Sequence, residues 1–390
     1  MSTTMRCKGC GAILQTEQKD HVGYVINLDQ AYCQSCFRLM HYGDSPTHFH
    51  PEDLPSLPQD SIIVMVSSIL HLDLLFSYPV YRYQPDAKYI YLINQIDLLP
   101  KHTNLDHLLD NITQKAKRMG IPYEDIILMS AKNTLDIEHL KAYLISLHEP
   151  HVYFIGVQNS GKTTLYKAIT GDTNALAMKK AGLTQDVLSK RYKTMMIYDL
   201  PGLYQEGYLH QFYPYNVYKK WLPDEEISPK IYQLNEGQSI IVEDILGLSF
   251  SGKTIYPVFY LGSEVKLHRT QDQKVKDLLK NKETEAFHFE EKTFKIPDGL
   301  YQLTFADMGF LHITGPGHVK LYYPKGMHIS LSEALFNDWC HRTVCHPKVR
   351  WPSQTIKTRL WRKRYSGHTR KNSWDWSRTS SHSCTLPWCH

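Results

Sequence analysis

The chain has 390 residues, room for two or three domains with real cores. With 42% apolar and 21% charged residues it fits a globular protein, which excludes collagenous, mucin-like and wholly disordered classes. The formal net charge of +5 is unevenly spread: residues 337–390 hold 11 Lys and Arg against 2 Asp and Glu, leaving 33 against 37 over residues 1–336. No apolar run approaches the ~20 residues of a membrane span, and the longest, Ile62 to Leu70, has strand length and contains two serines. Met1 to Cys7 lacks a basic region followed by an apolar stretch, so a cytoplasmic chain with no membrane partner is expected.

Cysteines open the chain's chemistry. Cys7-Lys8-Gly9-Cys10 and Cys33-Gln34-Ser35-Cys36 are two CxxC pairs with 22 residues between them. Each such turn brings two thiolates to one tetrahedral metal, and four sulfurs make a closed shell that suits a structural zinc ion. Cys7, Cys10, Cys33 and Cys36 are therefore expected to hold zinc in a module over residues 1–50. Chance cysteines, or disulfides in a reducing compartment, are the alternative.

From residue 58 the pattern alternates strands with helices. Ile62 to Val66 reads as a strand, and so does Lys88 to Ile93, which ends in Asn94-Gln95-Ile96-Asp97. A helix over Asn104 to Lys117 follows, then a strand over Ile126 to Met129 ending in Ser130-Ala131-Lys132. Next come a helix over Leu135 to Leu147, the link Glu149-Pro150, and a buried strand over residues 152–156.

That last strand leads into Gly156-Val157-Gln158-Asn159-Ser160-Gly161-Lys162-Thr163, a full GxxxxGK[ST] match before a helix through Leu165 to Ile169. Its glycines allow a nest of N–H groups aimed at phosphate oxygens. Asn159, Ser160, Gly161 and Thr164 line that cradle, Lys162 reaches the β- and γ-phosphates, and the Thr163 hydroxyl binds Mg²⁺. Downstream, Tyr192 to Tyr198 reads as a strand ending in Asp199-Leu200-Pro201-Gly202. There Asp199 is placed to hold the magnesium through water, and Gly202 to offer its N–H to the γ-phosphate. Thr184 is the expected switch threonine by position, a further magnesium ligand and catalytic group beside Lys162 and Asn159.

The NxxD and SAK loops decide the base. Asp97 accepting from N1–H and the exocyclic amine of guanine rejects adenine, the backbone after Ser130 reaches guanine O6, and Asn94, Ala131 and Lys132 complete the pocket. A Ras-like GTPase has its phosphate loop first and its base-reading loops last; here the order is reversed. Residues 58–220 therefore read as a circularly permuted Ras-like P-loop GTPase domain, an α/β fold binding GTP or GDP with Mg²⁺. Residues 225–336 alternate short apolar strands (Ser239 to Val242, Tyr256 to Tyr260, Val319 to Tyr323) with turns and carry a charged helix-like stretch, Asp272 to Lys282. A β-rich α+β carboxy-terminal domain is expected, next to the second switch, Asp199 to Leu203.

The four-cysteine module, the permuted motif order and the further carboxy-terminal domain together resemble the YqeH-type GTPases, from Cys7 to about Phe336. Leu267-His268-Arg269-Thr270, Ala306 to Gly315 and Tyr322-Tyr323-Pro324-Lys325-Gly326 support the likeness in the third domain. The resemblance implies a GTP-hydrolysing switch in assembly of the small ribosomal subunit, with ribosomal RNA among its partners and RNA binding by residues 225–336. It also exposes departures: Gln95 stands where the family usually has lysine, Ala181-Gly182-Leu183-Thr184 where it has Pro-Gly-Thr-Thr, and Ser68 where it has aspartate.

Leu203 occupies the position at which Ras-like enzymes place a water-orienting glutamine. Asn159 matches the asparagine that in related GTPases binds a potassium ion in place of an arginine finger; the alternative is a loop residue capping its own backbone. Slow intrinsic turnover that rises with K⁺ and with ribosomal RNA is expected. A P-loop ATPase acting on nucleic acid and a hydrolysis-deficient GTP-binding scaffold remain alternatives. For residues 337–390, with six of seven tryptophans, three readings compete: an RNA-binding tail, a second metal site at Cys340, His341, Cys345 and His346, or a stretch translated out of frame.

Overall fold

The computed structural model describes residues 5, 7, 14–17, 24–34, 37, 54, 57–172, 187–251, 255–283 and 287–337, all within one compact unit, Met1–Trp339. Cys10, Cys36, Thr184 and the stretch from residue 338 onward lie outside the described residues.

Strand β1, Ser61–Ser68, is buried along its whole length, as a central parallel strand covered on both faces must be. It pairs in parallel with Lys88–Asn94 (β2) on one side. The chain continues through Asp125–Leu128 (β3), parallel to β2, and returns as His151–Ile155 (β4), parallel to β1 on its other side. Leu188–Tyr192 (β5) and Met195–Asp199 (β6) complete the sheet, in spatial order β3-β2-β1-β4-β6-β5, with only β5 antiparallel.

Alternate side chains of these strands serve opposite layers. Ile62, Val64, Ile90 and Leu92 pack with Leu140 and Leu144 of helix Thr134–Ser146 (α2) and with Leu165 and Ile169 of helix Lys162–Thr170 (α3). Ile63, Met65, Tyr91 and Ile93 face the other way, onto Leu108, Ile112 and Ala116 of helix Leu105–Arg118 (α1). Two asparagines start helices: the Asn104 side chain accepts from His107 N–H (3.0 Å), and the Asn133 side chain from Leu135 N–H (3.0 Å).

The single strand expected over Tyr192 to Tyr198 is instead a hairpin. Lys193 takes a left-handed φ of 52° between β5 and β6. β5 is a polar edge strand, Leu-Ser-Lys-Arg-Tyr, with no fully buried residue, so apolar alternation could not reveal it.

The second sheet is antiparallel, with eight strands among the described residues: Lys230–Ile231 (β7), Gln238–Val242 (β8), Leu246–Ser251 (β9), Val258–Leu261 (β10), Leu267–Gln271 (β11), Phe289–Phe305 (β12), Gly309–Pro324 (β13) and Ile329–Glu333 (β14). Two helices accompany it. Tyr215–Tyr218 (α4) precedes the sheet, and Asp272–Lys280 (α5) lays Val275 and Leu279 on Ile241. The long β12–β13 hairpin was legible only as a short strand over Val319 to Tyr323. Half of the first eight residues of β12 are charged and half are exposed, so this stretch carries little alternating apolar signal.

The two sheets share a core. Val258, Tyr260, Phe310 and Phe336 of the antiparallel part join the apolar layer over Ile63, Met65 and Tyr91, with Tyr260 stacked on Phe310 at 4.9 Å between ring centroids. Residues 204–211, which follow β6, are held between them. Tyr78 O–H donates to the Tyr204 carbonyl (2.9 Å), and His328 N–H donates to the Gly207 carbonyl (2.9 Å). Gly207 sits at φ 83°, where a Cβ would come within 2.3 Å of His328 N, so only glycine fits.

Candidate nucleotide site

β1, β2, β3, β4 and β6 run in the same direction, so their carboxyl ends share one edge of the sheet. From β1 the chain moves outward to β2 and β3, then crosses back to β4 on the opposite side. The connections diverge between β1 and β4, and in open α/β sheets ligands bind at such a crevice. The sequence motifs follow these carboxyl ends.

The GxxxxGK[ST] loop leaves β4 against β1. A Cβ on Gly156 would lie 2.0 Å from the Val66 carbonyl oxygen, which forces glycine there. Asn159 (φ 63°) and Gly161 (φ 85°) are left-handed and turn successive backbone N–H groups into a nest. Unlike α1 and α2, helix α3 begins without a side-chain cap. Its first N–H groups and its dipole are therefore available to an anion.

Lys162 is buried, with Nζ folded back onto the carbonyls of Gly156 (2.9 Å) and Val157 (3.1 Å). Burial disfavours its ammonium and lowers its pKa to about 8, against the pull of Asp199. The Thr163 hydroxyl donates to Asp199 Oδ2 at 2.7 Å, bringing together two hard oxygen groups of the kind Mg²⁺ takes. Burial raises the Asp199 pKa to about 6, although Lys162 and the Thr163 hydroxyl both oppose the rise. Gln158 Oε1, Asn159 Oδ1, Ser160 Oγ and Asp199 Oδ1 are buried with no hydrogen-bond partner among the described residues, a concentration of unmet polar atoms that fits a nucleotide and its metal. Gly202 lies against Gln158, with its Cβ position 2.9 Å from Gln158 Cγ, and Thr164 is exposed on α3.

The base-reading loops meet this cradle. Asn94 Oδ1 accepts from Ala131 N–H (2.9 Å), and its Nδ2 donates to the Ser160 carbonyl (3.1 Å). Asp97 accepts from the Ser130 hydroxyl (2.6 Å) and pairs with Lys132 Nζ (3.0 Å). Sequence reasoning missed the supports behind them: Asp136 Oδ2 accepts from Ser130 N–H (2.9 Å), and the Asp224 carbonyl accepts from Lys132 Nζ (2.7 Å). Neither lies in a motif. The two departures at Gln95 and Ser68 touch each other, with Ser68 Oγ donating to Gln95 Oε1.

Leu203 is fully buried, and its N–H donates to the Gly156 carbonyl (2.9 Å). Its apolar side chain belongs to the core layer and offers no hydrogen-bonding group. Asn159 Nδ2 donates to Asp307 Oδ2 (3.1 Å), a carboxylate from the β12–β13 turn that sequence analysis did not single out. At the amino terminus Cys7 and Cys33 are both buried, and Cys33 N–H donates to Cys7 Sγ (3.1 Å).

Residues 151–287 match the family described as 50S ribosome-binding GTPase. Over 366 aligned residues the chain is 24% identical to "Uncharacterized protein YqeH" of Bacillus subtilis (strain 168), covering 84% of this chain and 98% of that protein. The chain carries a GTPase domain and is similar to YqeH over most of its length. The family match starts at His151, the first residue of β4, so in this chain the NxxD and SAK loops precede the matched stretch. Among the described residues no helix is long and apolar enough to cross a membrane.

A carboxyl must be ionised to take Mg²⁺, and were Asp199 that ligand its raised pKa of about 6 would govern binding. Affinity for Mg²⁺·GTP should therefore be flat above about pH 7 and fall roughly tenfold per unit below about pH 6. The linked effect on folding has the opposite sign: a carboxyl with a raised folded pKa gains stability as pH falls through that value. Titration with a fluorescent GTP analogue across this range tests the claim, and Asp199→Asn should abolish the slope.

Proposed function

We propose that this chain is a circularly permuted GTPase, a nucleotide switch acting in assembly of the small ribosomal subunit. One observation carries the guanine reading: Asn94 joins the SAK loop and the phosphate loop through one side chain, with Asp97 beside them. The spatial strand order supports permutation, since the loops cluster as one nucleotide site whatever their order in the chain.

In this reading Asp97 selects guanine, and Ser130, Ala131 and Lys132 close the base pocket. Ser160, Gly161 and Thr164 belong to the phosphate cradle, and Lys162 swings from its loop carbonyls to the β- and γ-phosphates. Thr163, Asp199 and Thr184 hold Mg²⁺, which screens the phosphate charge when bound, and Gly202 senses the γ-phosphate. Asn159 holds a potassium ion. Leu203 leaves the attacking water without a side chain to orient it, which supports slow intrinsic turnover stimulated by K⁺ and by ribosomal RNA. Zinc at Cys7, Cys10, Cys33 and Cys36 is supported by the buried pair Cys7 and Cys33, because N–H donors to sulfur stabilise thiolate ligands.

The small subunit comes from the YqeH resemblance, whereas the matched family's description names the 50S subunit. Cosedimentation with separated subunits distinguishes them: with a non-hydrolysable GTP analogue the protein should pellet with small subunits and dissociate with GDP. Pelleting with large subunits alone would refute the assignment. For the base, Asp97→Asn should lower GTP affinity by about 1–3 kcal/mol and favour xanthosine triphosphate, because the new amide donates where the carboxylate accepted. Unchanged selectivity, or tight ATP binding by the wild type, would support the ATPase reading instead. Metal analysis should return one zinc per chain, lost in Cys7→Ser.

A further inference from the structure

Asp307 lies in the turn joining β12 to β13, far in sequence from every nucleotide-binding motif, yet it is almost wholly buried against the phosphate loop. Its two oxygens hold two parts of the GTPase domain. Oδ2 accepts from Asn159 Nδ2 (3.1 Å), and Oδ1 accepts from the backbone N–H of Leu209 (3.0 Å), seven residues beyond Gly202. Burying a carboxylate is costly, so its retention here points to more than packing. We propose that Asp307 is a positioning residue for GTP turnover, supplied in cis by the carboxy-terminal sheet, that orients the amide of Asn159 in the phosphate loop.

The reasoning is one of donors and acceptors. An ionised carboxylate only accepts, so the face of the Asn159 amide toward Asp307 must be its NH₂. The Oδ1 is thereby turned the other way, where it is buried and has no hydrogen-bond partner among the described residues. Asn159 is already constrained by its left-handed backbone, so one further bond fixes its side chain. Any movement of the β12–β13 turn releases that amide and the Leu209 backbone together. The carboxy-terminal sheet thus has a direct mechanical link to the phosphate loop and to the segment after the second switch.

The proposal rests on the reading of Asn159 as facing the nucleotide, and the test separates the two. Asp307→Asn is isosteric. Its Oδ1 still accepts from Leu209, while its Nδ2 faces Asn159 and forces that amide to invert. Single-turnover GTP hydrolysis by the full chain in K⁺ and in Na⁺ should show the rate in K⁺ falling about tenfold and the K⁺ advantage lost, with GTP affinity within about threefold of wild type. Asp307→Glu, which keeps the acceptor, should retain the K⁺ advantage, a rescue that a purely structural role does not predict. If Asn159→Ala slows hydrolysis while Asp307→Asn matches the wild type in both salts, the positioning role is wrong and the Asn159 reading stands. If Asn159→Ala itself changes nothing, both fall. Should Asp307→Asn fail to fold, loss of the K⁺ advantage in Asp307→Glu would overturn the proposal.

Discussion

One amide holds the nucleotide site together. Asn94, buried at the end of β2, takes a backbone N–H from Ala131 with its oxygen and gives its NH₂ to the carbonyl of Ser160. Both partners are main-chain groups of loops that would otherwise move independently. Leaving either of them unsatisfied in the interior costs about 1–3 kcal/mol. The same amide occupies the space a side chain on Gly161 would need, with Nδ2 2.3 Å from the Cβ position. The glycine that sequence motifs attribute to phosphate binding is thus also required by the base-side loop.

Around that tie, charge is handled economically. Lys162 and Asp199 are both buried, and each shifts toward its neutral form. Their environment is incomplete without phosphate and metal, and the cluster of unpartnered oxygens on Gln158, Asn159, Ser160 and Asp199 expresses the same incompleteness. The site is built for a ligand that supplies both signs of charge. Gln95 and Ser68 show a different economy. Where the family resemblance places lysine and aspartate, this chain has an uncharged pair joined by a hydrogen bond, and replacing both partners together leaves no buried charge unmatched.

The segment after β6 connects this site to the rest of the molecule. His71 Nδ1 lies 3.1 Å from the Tyr208 hydroxyl, and burial lowers the His71 pKa to about 4, keeping the ring neutral. Asp73 is buried too, but contacts with His328 and Ser330 overcome that penalty and hold its pKa below the usual value. Residues 204–211 therefore run between a loop following β1 and the β13–β14 turn. This backbone connects Gly202 to contacts with the second sheet, beside the shared apolar layer of Tyr91, Tyr260, Phe310 and Phe336.

The amino-acid sequence alone determined what is local. A phosphate loop, an NxxD, an SAK and a buried strand are short patterns whose residue types follow from backbone geometry and hydrogen bonding within a few positions, and α1, α2 and the central strands appear where the residue pattern places them. Only the tertiary structure decided which of these pieces face one another. Asn94 meets Ser160 across 66 residues, and Asn159 meets Asp307 across 148; no period or spacing marks such contacts. Strand β5 and the outer half of β12 carry little sequence signal for a related reason. Both are held chiefly by backbone hydrogen bonds to neighbours and offer little buried apolar face, and backbone hydrogen bonds leave little trace in side-chain sequence.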